Sequence, residues 1–166
     1  MPPKPLMPIA DIPTTTLFDQ AGIRKLIRQR HEMEQLTAIT GLDVQARWIT
    51  GYKDVRDDEF WVRGHIPGTP MLPGVLMCEA GAQLASVYSY EAGVALPDEF
   101  IAFAGMDQVR FRGIVRPGQR LWLVGSTEKN QRRRMNFMVQ GIVDDQIVYE
   151  ARILGLTMAV EAVAGS

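Results

Sequence analysis

The chain has a single cysteine, Cys78, among 166 residues. That excludes an intramolecular disulfide and a cysteine-rich metal cluster, and it suits a reducing compartment. Charge of one sign is lacking too: 18 basic residues against 19 acidic ones leave a net −1. No global field therefore draws nucleic acid or an anionic membrane to it. A long apolar leader is also missing. The first thirteen residues hold five prolines and one lysine, Lys4, so neither a signal peptide nor a membrane span is expected there. Histidine is scarce as well, with only His31 and His65. The expected protein is soluble and cytoplasmic.

What the chain does have is a core: 46% of its residues are hydrophobic, enough for one full domain. Its centre is the stretch Glu59 to Tyr88, in two halves of opposite character. Gly64 to Gly74 sets His65 among three glycines and three prolines, a composition for a fixed, non-repetitive loop. From Val75 onward the sequence is nearly continuously apolar. Pro73 suits the helix start, where a missing N–H costs nothing, and the helix is predicted to begin around Gly74. Over Val75 to Tyr88 the strongly polar side chains are Glu79, Gln83 and Ser86, one helical stripe at i, i+4 and i+7. A helix so apolar is a buried one, and a carboxylate on it is rare unless paired or functional. Gly81 marks a close approach of whatever covers it.

Around this centre, Met1 to Thr16 reads as an irregular, flexible or surface-draped extension, and residues 17–166 as a single domain. Leu17 to Arg30 has helical spacing. Leu36 to Tyr52 is strand-like, with Val44, Ala46, Trp48 and Thr50 in alternation. Gly93 and Pro97 break the central helix. Four strands follow, at Ile101–Phe111, Arg120–Ser126, Arg134–Val143 and Gln146–Met158, punctuated by turns at Val115–Gly118 and Val143–Gln146. A lone apolar helix needs cover on most sides, and a strongly curved sheet supplies it. The fold class is α+β, an antiparallel sheet wrapped around one long central helix.

The residues GHIPG followed by PGVLMCEAGAQL resemble the 3-hydroxyacyl-acyl-carrier-protein dehydratases, which have the hotdog fold. Their usual pattern is GHFPG, a PGV turn and E-A-x-A-Q on the central helix. Gly64, His65, Pro67, Gly68, Pro73, Gly74, Val75, Glu79, Ala80, Ala82 and Gln83 match it, with the same fourteen-residue step from His65 to Glu79. Phe111, Arg112, Pro117 and Gly118 fit the family's later strand and turn. The resemblance runs from about Trp48 to Met158. It departs at Ile66, where Phe is common. It departs again at His31–Thr37, which stands where the family has an apolar Pro-Phe-Leu-Leu strand followed by Asp-Arg.

The resemblance implies a dehydratase converting a 3-hydroxyacyl thioester on acyl carrier protein to the trans-2-enoyl thioester, with no metal and no cofactor. Such a reaction needs a base at C2, an acid at the C3 hydroxyl and donors at the thioester oxygen. His65 is expected as the base. Glu79, expected to be buried and held protonated, is the acid. The helix start at Gly74 is the oxyanion site, with Pro73 and Gln83 in support. Gln83 either orients Glu79 from one turn below or bonds across a subunit interface. Ile66, Met71, Leu72 and Phe103 are candidate walls of the acyl channel. Ser86 reads as a packing residue, His31 as a surface residue and Cys78 as a small core hydrophobe. Arg110, Arg112, Arg116 and Arg120 are candidates for a basic rim toward the acidic carrier protein, and Arg132–Arg134 reads as a solvated turn. The resemblance further implies a homodimer with sheets joined edge to edge and His65 of one subunit paired with Glu79 of the other. A trimer of such dimers is compatible with it. Two other readings stay open, a hotdog acyl-CoA thioesterase and a non-catalytic acyl-binding subunit. The helix carboxylate alone would suit the first, and the altered first strand suits the second.

Overall fold

Glu79 is the only charged residue between Val75 and Tyr88, and a helix with so little polar surface has to be enclosed. In the computed structural model, which describes residues 3–164, that helix is α2, Gly74–Glu91. Pro73 is its N-cap in an extended conformation, and the chain leaves it through Ala92 and Gly93, whose φ is +68°. The left-handed turn at Gly93 is the usual way to satisfy the last carbonyls.

Six strands enclose it: β1 Ala38–Asp43, β2 Trp48–Asp54, β3 Glu99–Phe111, β4 Arg120–Ser126, β5 Arg134–Val143 and β6 Gln146–Ala159. They form one antiparallel sheet in the order β1-β2-β4-β5-β6-β3. Period-two alternation puts Leu121 and Leu123 of β4, Phe137 and Val139 of β5, and Tyr149, Ala151 and Ile153 of β6 on the face that packs with α2 in one core. The β5–β6 hairpin turns at Asp144 and Asp145, both left-handed with φ of 48° and 60°. That is the geometry whose twist matches the flanking strands. The antiparallel sheet around one long helix agrees with the α+β hotdog expectation, and the four later strands lie within two residues of their expected ends.

Three local expectations are corrected. Val44 and Ala46 do not continue a strand. They sit in the turn between β1 and β2, where Asp43 Oδ1 accepts the N–H of Gln45 and Ala46 at 2.9 and 2.7 Å and Arg47 takes φ of +62°. A side-chain carboxylate that caps local N–H groups overrides alternation. The first helix is shorter than Leu17–Arg30. It is α1, Gln20–Leu26, capped by Asp19 through Gly22 N–H, while Leu17 and Phe18 bond instead to Ile39 at the outer side of β1. The arginine run is not simply solvated. Arg132 pairs with Glu99 at 2.8 Å and donates to the Val94 carbonyl, tying the β4–β5 connection to the loop that follows α2.

The N-terminal segment lies along the outer face of the sheet. The buried Gln140 amide accepts from Leu6 N–H at 2.8 Å and donates to the Lys4 carbonyl at 3.0 Å, and Ile12 packs with Val124 and Ile142. Met1 and Pro2, and Gly165 and Ser166 at the other end, lie outside the described residues. At the opposite edge of the sheet, β3 pairs with β6 on one side only among the described residues, with Phe103 57% and Phe111 51% exposed. A short helix, α3 Glu161–Ala164, follows β6.

Gly81 is a close helix–sheet approach on the α2 face toward β5 and β6. A Cβ there would lie 3.2 Å from Ile153 Cδ1, Tyr149 Oη and Val139 Cγ1. Gly81→Leu is expected to lower unfolding free energy by roughly 1–3 kcal/mol through overpacking, measured by urea or thermal denaturation. An unchanged midpoint would mean that this face can open.

Candidate active site

His65 lies in the loop between β2 and α2, and turn hydrogen bonds set its backbone. Its N–H donates to the Trp61 carbonyl at 2.7 Å, and its carbonyl accepts Met71 N–H at 2.9 Å. Its ring is exposed, with Nδ1 2.8 Å from the Met71 carbonyl oxygen. A carbonyl only accepts, so Nδ1 carries a proton and the neutral ring keeps its lone pair on Nε2. Beyond this loop, Leu76 and Met77 N–H bond the Pro73 carbonyl as α2 starts. Gly74 and Val75 N–H, which have no intrahelical acceptor, head the helix where its dipole is positive. Gly74 packs against Phe111, whose Cζ lies 2.8 Å from where a Cβ would stand. Any side chain there would displace that ring.

Glu79 lies on α2 and is half-buried rather than enclosed. Its Oε1 accepts Gln83 Nε2 at 2.8 Å and, more loosely, Gln29 Nε2 at 3.4 Å. Gln83 is fully buried: Nε2 also donates to the Met33 carbonyl at 2.5 Å, and Oε1 accepts Gln35 N–H at 2.9 Å. Within the protomer, Gln83 bonds Glu79 from one turn below. With Oε1 occupied as an acceptor, Oε2 is the oxygen left free to hold or release a proton. Among the described residues no hydrogen bond joins His65 to Glu79 within the protomer.

A cavity of about 340 Å³ adjoins Glu79 through Gln29 and is lined by Ile27, Met33, Ser86, Tyr90, Phe100 and Ile101, with Arg28 and Arg30 also on its wall. None of the four expected wall residues lines it: Leu72 is buried in the core, Met71 is half-buried, and Ile66 and Phe103 are exposed. Two of the residues that do line it share a legible signal. Ser86 and Tyr90 extend the Glu79–Gln83 stripe of α2 to i+7 and i+11. Ser86 Oγ bonds the Ala82 carbonyl at 2.8 Å, so it fills both roles, packing and lining.

Other titratable groups nearby are unsuited to acid–base work near neutrality. Burial pushes the Cys78 thiol up, and burial, with Cys78 beside it, pushes the Tyr149 phenol far above its usual range. Of the expected basic rim, Arg112 is paired with Glu150, while Arg120 grips Asp54 at 2.6 and 3.0 Å and stacks 3.7 Å above the Tyr52 ring. Arg110 and Arg116 are exposed and have no carboxylate partner among the described residues. His31 is exposed, as expected. No helix of the described residues is long and apolar enough to cross a membrane.

A thiol with a raised pKa has less thiolate at any given pH. Cys78 is therefore expected to react with iodoacetamide near neutral pH at least about tenfold more slowly than free cysteine, with the rate still rising where free cysteine has levelled. Labelling at the free-cysteine rate would show the α2 start to be open.

The FabA-like domain model matches residues 27–152. The chain is 35% identical over 147 residues to the 3-hydroxyacyl-[acyl-carrier-protein] dehydratase FabZ of Desulfotalea psychrophila, covering 88% of this chain and 97% of that protein. It is 32% identical over 140 residues to the FabZ of Saccharophagus degradans, covering 83% and 96% respectively. Among solved structures, the dehydratase heterocomplex ApeI:P from Xenorhabdus doucetiae superposes with a TM-score of 0.69 at 13% identity, over 86% of this chain and 95% of that one. The fluoroacetyl-CoA-specific thioesterase FlK does so with a TM-score of 0.61 at 13% identity, over 75% and 94%. At such low identity these two speak for the fold alone. The match over residues 27–152, together with relatives covered almost end to end, means that this chain belongs to the FabA-like family.

Proposed function

We propose that the chain is a 3-hydroxyacyl-acyl-carrier-protein dehydratase, a hydro-lyase of fatty-acid or lipid synthesis. The observation that carries this is the complementary state of the two side chains. His65 Nδ1 bonds the Met71 carbonyl, which makes Nε2 the basic nitrogen of the neutral ring, and Glu79 keeps Oε2 free because Gln83 holds Oε1. His65 Nε2 takes the proton from C2, Glu79 Oε2 delivers one to the departing C3 hydroxyl, and water leaves with the trans-2-enoyl thioester formed. N–H groups at Gly74 support the negative charge on the thioester oxygen. Both steps use side-chain protons only, so the reaction draws on no cofactor. The acyl tail lies in the cavity beside Glu79, lined by Tyr90, Phe100 and Ile101. Arg110 and Arg116 face the acidic carrier protein and the phosphate of its prosthetic arm. The enzyme works in the cytoplasm.

The functional unit in this proposal is a homodimer. Its support is the open outer side of β3 with the exposed Phe103 and Phe111, and the lack of a His65–Glu79 bond within one protomer. Joining two β3 edges satisfies unpaired strand N–H and C=O groups. It brings His65 of one subunit to Glu79 of the other, and three such dimers can assemble further.

Incubation with a 3-hydroxyacyl carrier-protein thioester, followed by mass spectrometry, separates the readings. Loss of water supports the dehydratase, hydrolysis a thioesterase, and an unchanged substrate a binding subunit. His65→Ala and Glu79→Gln are each expected to lower kcat by about 100- to 10,000-fold with little change in melting temperature. Turnover within a few-fold of the parent would remove that residue from its role. When the two inactive variants are refolded together, heterodimers hold one site with both residues intact, and activity is expected to return in part. Verified heterodimers without activity would exclude a site shared between chains.

A further inference from the structure

The mount of the His65 loop is unusual in where it is anchored. Lys53 occupies an inward-facing position of β2, normally an apolar site, and is only 5% exposed. Its Nζ meets Glu59 Oε2 at 2.8 Å, with both side chains buried. The same Oε2 accepts Trp61 Nε1 at 2.9 Å, and Glu59 Oε1 accepts Arg56 N–H at 2.9 Å. Trp61 itself is buried in the main core. The Glu59 carboxylate thus has three donors, one from the sheet, one from an indole and one from the loop backbone. A buried ion pair so saturated is tolerated, but replacing it by apolar packing is often neutral or better for stability, so stability does not explain it.

The backbone supplies a consequence. The Trp61 carbonyl accepts both Gly64 N–H at 3.1 Å and His65 N–H at 2.7 Å, and the Glu59 carbonyl accepts Val62 N–H at 3.0 Å. Lys53, Glu59 and Trp61 therefore link β2 to the His65 amide, by hydrogen bonds at the Glu59 carboxylate and then through Trp61 itself, from its indole to its carbonyl. The His65 ring has only one side-chain bond of its own, to Met71. We infer that the Lys53–Glu59–Trp61 cluster is a positioning device for the reaction, holding the His65 loop against the sheet so that Nε2 points where the substrate proton will be. It acts through His65 and does not touch substrate. The inference rests on His65 being the base, as proposed above.

Trp61→Phe is the informative variant, because it keeps an aromatic ring in the core while removing the indole N–H together with part of the ring volume, and the His65→Ala background below separates the two losses. Glu59→Gln would leave Lys53 buried without a counter-charge and can fail to fold for that reason alone. With the full-length protein and a 3-hydroxyacyl thioester, Trp61→Phe is expected to lower kcat by about 10- to 100-fold. KM should stay within about twofold, since misplacement of a base costs the transition state and not substrate binding. In a His65→Ala background the same change should cost nothing further, because no base remains to misplace. Parental kcat in folded Trp61→Phe, or an equal loss with and without His65, would overturn the positioning role and leave a merely structural cluster. If instead the parent protein is inactive, or His65→Ala keeps parental turnover, it is the reading of His65 as base that fails.

Discussion

The rest of the structure depends on enclosing α2, a helix whose residues from Leu76 to Ser89 are buried on most sides by a single curved sheet. A sheet can wrap a helix this closely only where the helix surface is small, which is why Gly81 faces Val139, Tyr149 and Ile153 at van der Waals limits. The sheet cannot close completely around the helix. One stripe, Glu79, Gln83 and Ser86, is left to be covered by the chain between α1 and β1. There the cover is polar backbone: Gln83 satisfies Gln35 N–H and the Met33 carbonyl. The polar stripe of an otherwise apolar helix is thus matched to the one side where irregular chain, with hydrogen-bonding groups to offer, lies over it.

That arrangement also explains how a carboxylate is held ready on a buried helix. Glu79 is neither sealed in the core nor free in solvent. Gln83, itself immobilised by three hydrogen bonds, fixes one oxygen and leaves the other available. His65 is handled by the opposite strategy. Its ring is exposed on a loop rich in Pro and Gly, and its aim comes from a carbonyl ahead of it and a mount behind it. In the proposed reaction two groups that exchange protons with a substrate need fixed directions and unlike environments, and the helix and the loop would supply these separately.

Much of this was legible in the residues. The boundaries of β4 and β5 and the start of α2 were readable because each is set by nearest neighbours: alternation along a strand, left-handed Asp144 and Asp145 at a hairpin, Pro73 and Gly74 at a helix start. The His65–Glu79 spacing was readable through resemblance to a known family. Val44 and Ala46 misled because a turn built on the Asp43 carboxylate looks like a continued alternation. Leu17 and Phe18 misled because their apolar spacing suits a helix as well as a bridge to Ile39. Phe100 and Ile101 carry no such local signal as a cavity lining, because only the packing of β3 beside α2 brings them together with Tyr90.

The residues alone set the kind of elements and their order, since those follow from local conformational preference. Only the tertiary structure decided that Gln83 holds Glu79 while bonding a backbone amide 48 residues away. It alone decided that Lys53 turns inward to Glu59, and that the first arginine of the 132–134 run pairs with Glu99. The reason is that burial sets the strength of a polar interaction. A lysine or glutamine reads the same on paper whether it ends in solvent or in the core, and only in the core must its partners be found.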